Sequence, residues 1–363
     1  MTCEDLSVPL PPSRTTPDLL SLGAMALAVA AVSSSAPLIA YAAAPALAVA
    51  FWRNVISVGL LGPFALLRRR HEFRALASRD GRRDAGYCVL AGLALAVHFG
   101  TWMPSAQLTS VATATALVVT QPVWQGLIAL GQGRRLPMAG WLGIGVAVLG
   151  AAWAVGADLE VGSARAVLGD LLAICGGIAA AVYTALGERA RTTTSTVTYT
   201  TICYGTCGAA LLPVCLAGNV RMTGFALSTW LAVLGLVVGA QLLGHSMFNY
   251  ALRRISATTV SVLLLLETPG AALLAWLWLD QVPRPAALPG LLLLLVGVAV
   301  VLRAEARAAR HVRTGQATVA SRPTPPEGAP LPPETGRAAV PPGEPTSPVS
   351  PGPARQVSPE RPR

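Results

Sequence analysis

Few side chains in this sequence can hold a charge or a proton away from water, and those few are regularly placed. Glu267 ends the run Leu263-Leu264-Leu265-Leu266-Glu267 and is followed by Thr268 and Pro269. An acidic group in so apolar a setting is expensive and marks a candidate site. Two readings compete for it: it cycles a proton, or it hydrogen-bonds to a neighbouring helix and holds the bend imposed by Pro269. Gln241, His245 and Asn249 recur at steps of four, one stripe of an α-helix, and His98 and Trp102 show the same step earlier in the chain. Neutral imidazole accepts a proton and imidazolium releases one. The stripe therefore lines a solute cavity or ties helices together by hydrogen bonds. Arg53, in Phe51-Trp52-Arg53-Asn54, either snorkels toward an interface or binds an anion. Thr113, Gln121, Trp124 and Gln125 flank Pro122. With Trp102 and Tyr250 they offer hydrogen-bonding groups and flat rings for a mid-sized organic solute, unless the tryptophans are interfacial anchors. Pro122 and Pro269 are expected to bend their helices.

The elements that must carry these residues follow from composition. Of 363 residues 53% are hydrophobic and 12% charged, with a mean hydropathy of +0.57. Soluble domains carry about 25% charged residues, so this chain cannot cover a water-exposed globule. Apolar stretches recur at the length of roughly 20 residues that crosses a bilayer. A soluble enzyme, a secreted disulfide scaffold and a nucleic-acid-binding domain are excluded. The net charge of +10 comes from 27 basic residues, all arginine, which sit in short loops and tails. The six cysteines, Cys203 and Cys207 included, read as small core residues rather than metal ligands. No metal site and no cofactor are expected.

The apolar pattern predicts ten helices near 20–41, 45–67, 85–103, 107–130, 138–156, 168–187, 197–217, 228–251, 256–279 and 285–302. Ser33-Ser34-Ser35 and Pro37 weaken the first of them. Glu4, Asp5, Arg14 and Asp18 precede that run in place of a basic segment, so it is expected to stay as a span rather than be cleaved. Residues 314–363 are dense in Pro, Gly, Ser and Thr and are expected to be disordered. The predicted organisation is a tail at 1–18, a first repeat at 19–157, a second at 166–302 and a Pro-rich tail at 303–363. Arg68–Arg83, Arg134-Arg135, Arg189, Arg191, Arg253-Arg254 and Arg303–Arg313 all fall on one side of this arrangement. The other side holds only Arg165, Arg221 and Arg284. The positive-inside rule puts the arginine-rich side, and both termini, in the cytoplasm of a bacterial plasma membrane protein.

The two halves match. A shift of 147 residues lays His98 on His245, Gly92 on Gly239, Pro122 on Pro269, Gly143 on Gly290 and Gly150 on Gly297, and residues 108–113 on 255–260. Five spans per half require the second half to enter the membrane upside down, a frequent plan of secondary transporters.

Pro45–Arg53 (PALAVAFWR), His98–Val123 and Tyr250–Trp276 resemble the EamA family of the drug/metabolite transporter superfamily, and the likeness runs from residue 20 to 302. The resemblance implies an all-α membrane protein of ten helices as a 5+5 inverted repeat, with cytoplasmic termini and a central cavity. It implies export of small organic metabolites or drugs, with protons as the candidate coupling ion; amino acids fit the same polar and aromatic groups. The family often carries Gly-Glu shortly after the prolines of spans four and nine. Here those places read Gln132-Gly133 and Asp280-Gln281, so no shared role is assigned to them. An intramembrane enzyme is the alternative least supported, since His-Glu-x-x-His and Gly-x-Ser-x-Gly are absent from the sequence. A channel or sensor would show a ring of charge or a filter segment, and neither is visible. Substrate identity, direction and oligomeric state stay open.

Overall fold

The computed structural model describes residues 19–108, 114, 117–156, 164–279 and 285–320, and all described elements are helical. The first half contains α1 (Leu19–Ser33), α2 (Ser35–Tyr41), α3 (Ala46–Arg68), α4 (Arg70–Ala77), α5 (Arg82–Leu108), α6 (Gln121–Gly131) and α7 (Met138–Gly156). The second contains α8 (Ala164–Ala190), α9 (Thr196–Ala217), α10 (Leu227–Leu236), a π-helical segment (Val237–His245), α11 (Ser246–Ala251), α12 (Ala257–Leu264), α13 (Glu267–Leu279) and α14 (Leu288–Ala320). Among the described residues seven helical stretches are long and apolar enough to cross a membrane, and Met138–Trp153 and Ala257–Ala271 are shorter apolar ones. Residues up to Gly315 form one compact unit; of the second unit, 316–363, only 316–320 are described. The tails at 1–18 and 321–363, Thr113 and the pair Asp280-Gln281 lie outside the described residues.

The surface is inverted relative to a soluble protein. Leu60, Leu66, Leu93, Val97, Leu142, Leu171, Leu231 and Leu292 are exposed, whereas Arg53, Asn54, Ser57, Gln125, Gln241 and Asn249 are fully buried. Polar groups inside and leucines outside fit hydrocarbon as the solvent.

Four expected boundaries shift, each for a local reason. The expected first helix splits at Ser34, where the Ser33 and Ser34 hydroxyls donate to the Val29 and Ala31 carbonyls at 2.8 and 2.7 Å. Pro37 also removes the N–H that would bond Ser33. The expected ninth helix splits between α12 and α13, ahead of Pro269. Leu265 does not lose its partner there: the Thr268 N–H closes a tighter turn onto the Leu265 carbonyl at 3.1 Å. Its repeat mate breaks in the corresponding place, with Thr120 N–H donating to Leu117 at 3.3 Å and Pro122 falling in the first turn of α6. The last helix does not end near 302 but runs to Ala320, because Arg303 to Thr314 is rich in Ala and Arg and free of Gly and Pro. In addition, α4 forms within the arginine-rich loop.

The two halves interleave. α5 packs along α8 and α9, α6 against α8 and α12, and α1 against the π segment, α11 and α13. Glycines set how closely backbones approach. A Cβ added at Gly143 would sit 3.0 Å from the Gly297 carbonyl oxygen, and one at Gly150 would sit 2.7 Å from that of Gly290. The shift of 147 turns the first contact into the second, so the repeat seen in the sequence is also an exchange of contacts between α7 and α14. As one helix advances from Gly143 to Gly150 the other retreats from Gly297 to Gly290, so the two run antiparallel.

Gly→Ala in a helix normally stabilises by up to about 1 kcal/mol. At Gly145 a Cβ meets open space, but at Gly297 it would strike the Ala147 backbone. Gly145→Ala should therefore leave or raise the melting temperature of the purified protein, and Gly297→Ala should lower it by the equivalent of about 1–3 kcal/mol. Equal effects would show that these helices are not in backbone contact.

Candidate functional site

Arg53 projects from α3 into the protein and has no exposed surface, so it does not snorkel to an interface. Its Nε–H donates to Gln241 Oε1 at 2.8 Å, and Gln241 Nε2 donates to Asn54 Oδ1 at 3.1 Å. The Asn54 amide closes the chain on the Ala50 carbonyl at 2.8 Å. One face of the guanidinium lies 4.4 Å from the centre of the Phe99 ring, a cation–π contact. Its two terminal nitrogens are buried and have no hydrogen-bond partner. The charge thus sits on a link between α3 of the first half and the π segment of the second.

The π segment decides where its polar residues point. Ser246 N–H reaches back five residues to the Gln241 carbonyl, which also accepts from Tyr204 Oη at 3.3 Å and Ser246 Oγ at 3.4 Å. The extra residue in the turn breaks the α-helical stripe expected for Gln241, His245 and Asn249. Gln241 turns to Arg53. His245 packs among Phe99, Phe248 and Tyr183, with ring centres 5.6, 4.8 and 6.1 Å away, and its Nδ1 has no partner. Asn249 donates to Tyr183 Oη at 2.6 Å from α8. On α5, the His98 ring stacks on Trp102 at 5.7 Å and its Nδ1 meets the Gly176 carbonyl at 2.9 Å. The Trp102 indole N–H is buried without a partner.

Glu267 opens α13 and lies within Coulombic reach of Arg53, though no hydrogen bond joins them. A carboxylate in the first turn of a helix is favoured by the helix dipole. The Ser33 hydroxyl approaches the Glu267 carbonyl oxygen at 3.4 Å, and Gly270 leaves room for that serine. Gly239 and Gly244 likewise face Ser34 and Val32. The break in span one, the π segment and the break in span nine therefore meet. His98, His245 and Glu267 lie beside this cluster and are each partly exposed.

Other expected residues have partners outside the Arg53 link. Gln121 donates to Thr184 Oγ1 at 3.1 Å, and the Trp124 indole is satisfied by Thr120, just ahead of α6, at 3.1 Å. Gln125 is buried with neither amide atom partnered. Asn54, Phe99, Tyr183 and Tyr204 were missed by sequence reasoning. Asn54 was readable by the rule that singled out Arg53; the rings carry no such signal. Cys88, Cys203, Cys207 and Cys215 are buried and free. Among the described residues no group of three His, Cys, Asp or Glu is placed to hold a metal.

The arginine-bearing loops meet at one end. Arg134 forks onto Glu188 at 3.0 and 2.8 Å, and Glu188 also accepts from Ala257 N–H at 3.2 Å. Arg191 donates to the Asn249 carbonyl at 3.0 Å. Glu72 of α4 accepts from Ser195 N–H, the N-cap of α9, at 3.0 Å. Arg134–Glu188 and Glu72–Ser195 join one half to the other, whereas Glu188–Ala257 and Arg191–Asn249 lie within the second.

Profile comparison decides the relationship. The EamA-like transporter profile matches twice, over residues 19–156 and 167–303. The chain belongs to the EamA-like transporter family. As in that family, two copies of one unit make a multi-pass membrane protein. No curated protein matches the chain. A protein of known crystal structure superposes with a TM-score of 0.63 at 21% identity, covering 80% of this chain and 98% of its own. At that identity the likeness shows the fold alone.

Burial pushes the Glu72 carboxyl up, but hydrogen bonds from Ser195 and Thr198 and the Arg69 charge outweigh it and hold it below the usual range. A lowered folded pKa adds stability above the unfolded value of about 4.3, and that stability is lost as pH falls through the folded value. Glu72→Gln should therefore melt below wild type at pH 7, with the gap closing as the solution is acidified below pH of about 4. A gap independent of pH would show that the charge of Glu72 plays no part.

Proposed function

We propose that this protein is a secondary transporter that exports small organic metabolites, amino acids or drugs across the bacterial plasma membrane by alternating access, with protons as the coupling ion. One observation carries the reading: a polar cluster with Arg53, Asn54, Gln241 and Asn249 fully buried and the Arg53 terminal nitrogens unpartnered sits where interrupted helices of the two repeats meet. Irregular backbone at membrane depth is tolerated only where protein encloses it or a cavity needs it. On this reading the ten spans form an inverted 5+5 repeat with both termini cytoplasmic, in keeping with the arginine-bearing loops.

His98, Trp102, Gln241, His245 and Asn249 then line the solute path, Arg53 supplies fixed positive charge, and Glu267 carries the coupling proton. The arginine-rich end closes through Arg134, Glu188 and Ala257, contacts that must separate when the site opens to that side. The absence of hydrolytic motifs fits a carrier without enzymatic activity.

The test is counterflow in proteoliposomes with pooled labelled amino acids and metabolites, with and without a pH gradient. Saturable exchange of one solute class is expected, which a channel would not give, and absence of exchange with folded protein present overturns the proposal. In the same system Glu267→Gln should abolish gradient-driven accumulation while leaving exchange intact. Driven uptake that survives the substitution would reduce Glu267 to a structural role.

A further inference from the structure

We infer that the transported solute is an organic carboxylate, anchored in the plane of the Arg53 guanidinium by its two terminal nitrogens. This rests on the transporter reading above and names the charge of what that site takes.

The geometry of Arg53 is selective. Its Nε–H is used by Gln241, which Asn54 fixes in turn, so the side chain is held in one orientation. One face of the guanidinium is covered by Phe99. What remains is the end-on edge, where both terminal nitrogens are buried and unpartnered. That edge presents N–H donors in a planar fork matched to the two oxygens of a carboxylate. A compact ammonium would be repelled there, and a neutral solute would leave the cation unmatched. A buried cation with unmade hydrogen bonds is costly, so an anion that supplies them is favoured there.

The surroundings agree with an anion carrying a flat apolar body. Phe99 is in ring contact with His98 and His245, His98 with Trp102, and His245 with Phe248 and Tyr183. Unpartnered donors or acceptors on this wall, the Trp102 indole N–H and the His245 Nδ1, can meet further polar atoms of the solute. The charged or titratable groups around Arg53 are Glu267, Tyr183, Tyr204 and Cys207, with His98 and His245 beside them. Glu267 is the sole carboxylate of that set, and it forms no hydrogen bond to the free edge.

The test measures binding rather than flux. The full-length protein in nanodiscs is titrated with two matched pairs, benzoate against benzamide and indole-3-acetate against indole-3-acetamide, with benzylamine as the cation, and followed by saturation-transfer NMR. In at least one pair the carboxylate should bind about tenfold or more tighter than its amide, and benzylamine should not displace it. Arg53→Gln should erase the preference, and Arg53→Lys, which keeps charge but not the fork, should retain part of it. If both amides match their acids, or benzylamine binds better, the inference is overturned on the wild-type protein alone, whether or not the variants fold. A carboxylate preference that survives in folded Arg53→Gln overturns it too. The two readings fail separately. Carboxylate binding without counterflow of any solute would sink the transporter reading, and counterflow of neutral or cationic solutes without carboxylate preference would sink this one.

Discussion

A guanidinium with no exposed surface, placed in an apolar bundle, constrains everything around it. The protein bonds Arg53 only through its Nε, and the partner, Gln241, lies on the other repeat, 188 residues away. That single hydrogen bond fixes how α3 sits against the π segment. It also places Asn54 against Gln241 and Phe99 over the cation. The cost of burying the charge is high, and the cluster that offsets it joins two halves that a carrier must move against each other.

Close backbone approach makes this placement possible. Gly239 and Gly244 let the π segment lie on Ser34 and Val32, and Gly270 lets the start of α13 lie on Ser33. Three interrupted helices therefore converge. α7 and α14 meet through paired glycines whose contacts exchange under the repeat. The halves are alike in this crossing and in the breaks before Pro122 and Pro269. They differ in the π turn, which forms at Val237–His245 while the matching stretch of α5 stays α-helical. That asymmetry gives His98 and His245 different partners despite their equivalent places in the sequence.

Much of this was legible from residue types. Spans follow from apolar length, the duplication from matched His and Pro, and the candidate cluster from the rarity of Glu267, Arg53 and the two histidines in apolar runs. What escaped depends on contacts distant in sequence or on single-residue changes in helix geometry. The π turn in Val-Val-Gly-Ala-Gln has no strong local signature, so a stripe drawn at steps of four scattered into three environments. The pairing of Arg53 with Gln241 cannot be read from spacing. The Trp124 indole N–H is bonded to Thr120, the residue just ahead of α6, which spacing alone does not show. The long α14 was hidden because the Pro-rich composition beyond Gly315 coloured the reading of the Ala- and Arg-rich stretch before it.

The central claim is the proposal that the polar cluster around Arg53 opens to one side of the membrane at a time. It is tested most directly by thiol accessibility at position 98, using His98→Cys in a chain whose native cysteines are replaced by alanine. A membrane-impermeant alkylating reagent is added to each side of sealed vesicles in turn. Alternating access predicts modification from either side, with reactivity from the arginine-rich side lost once cysteines at positions 134 and 188 are cross-linked. Modification from both sides with the cross-link in place, or from neither side without it, would contradict the account.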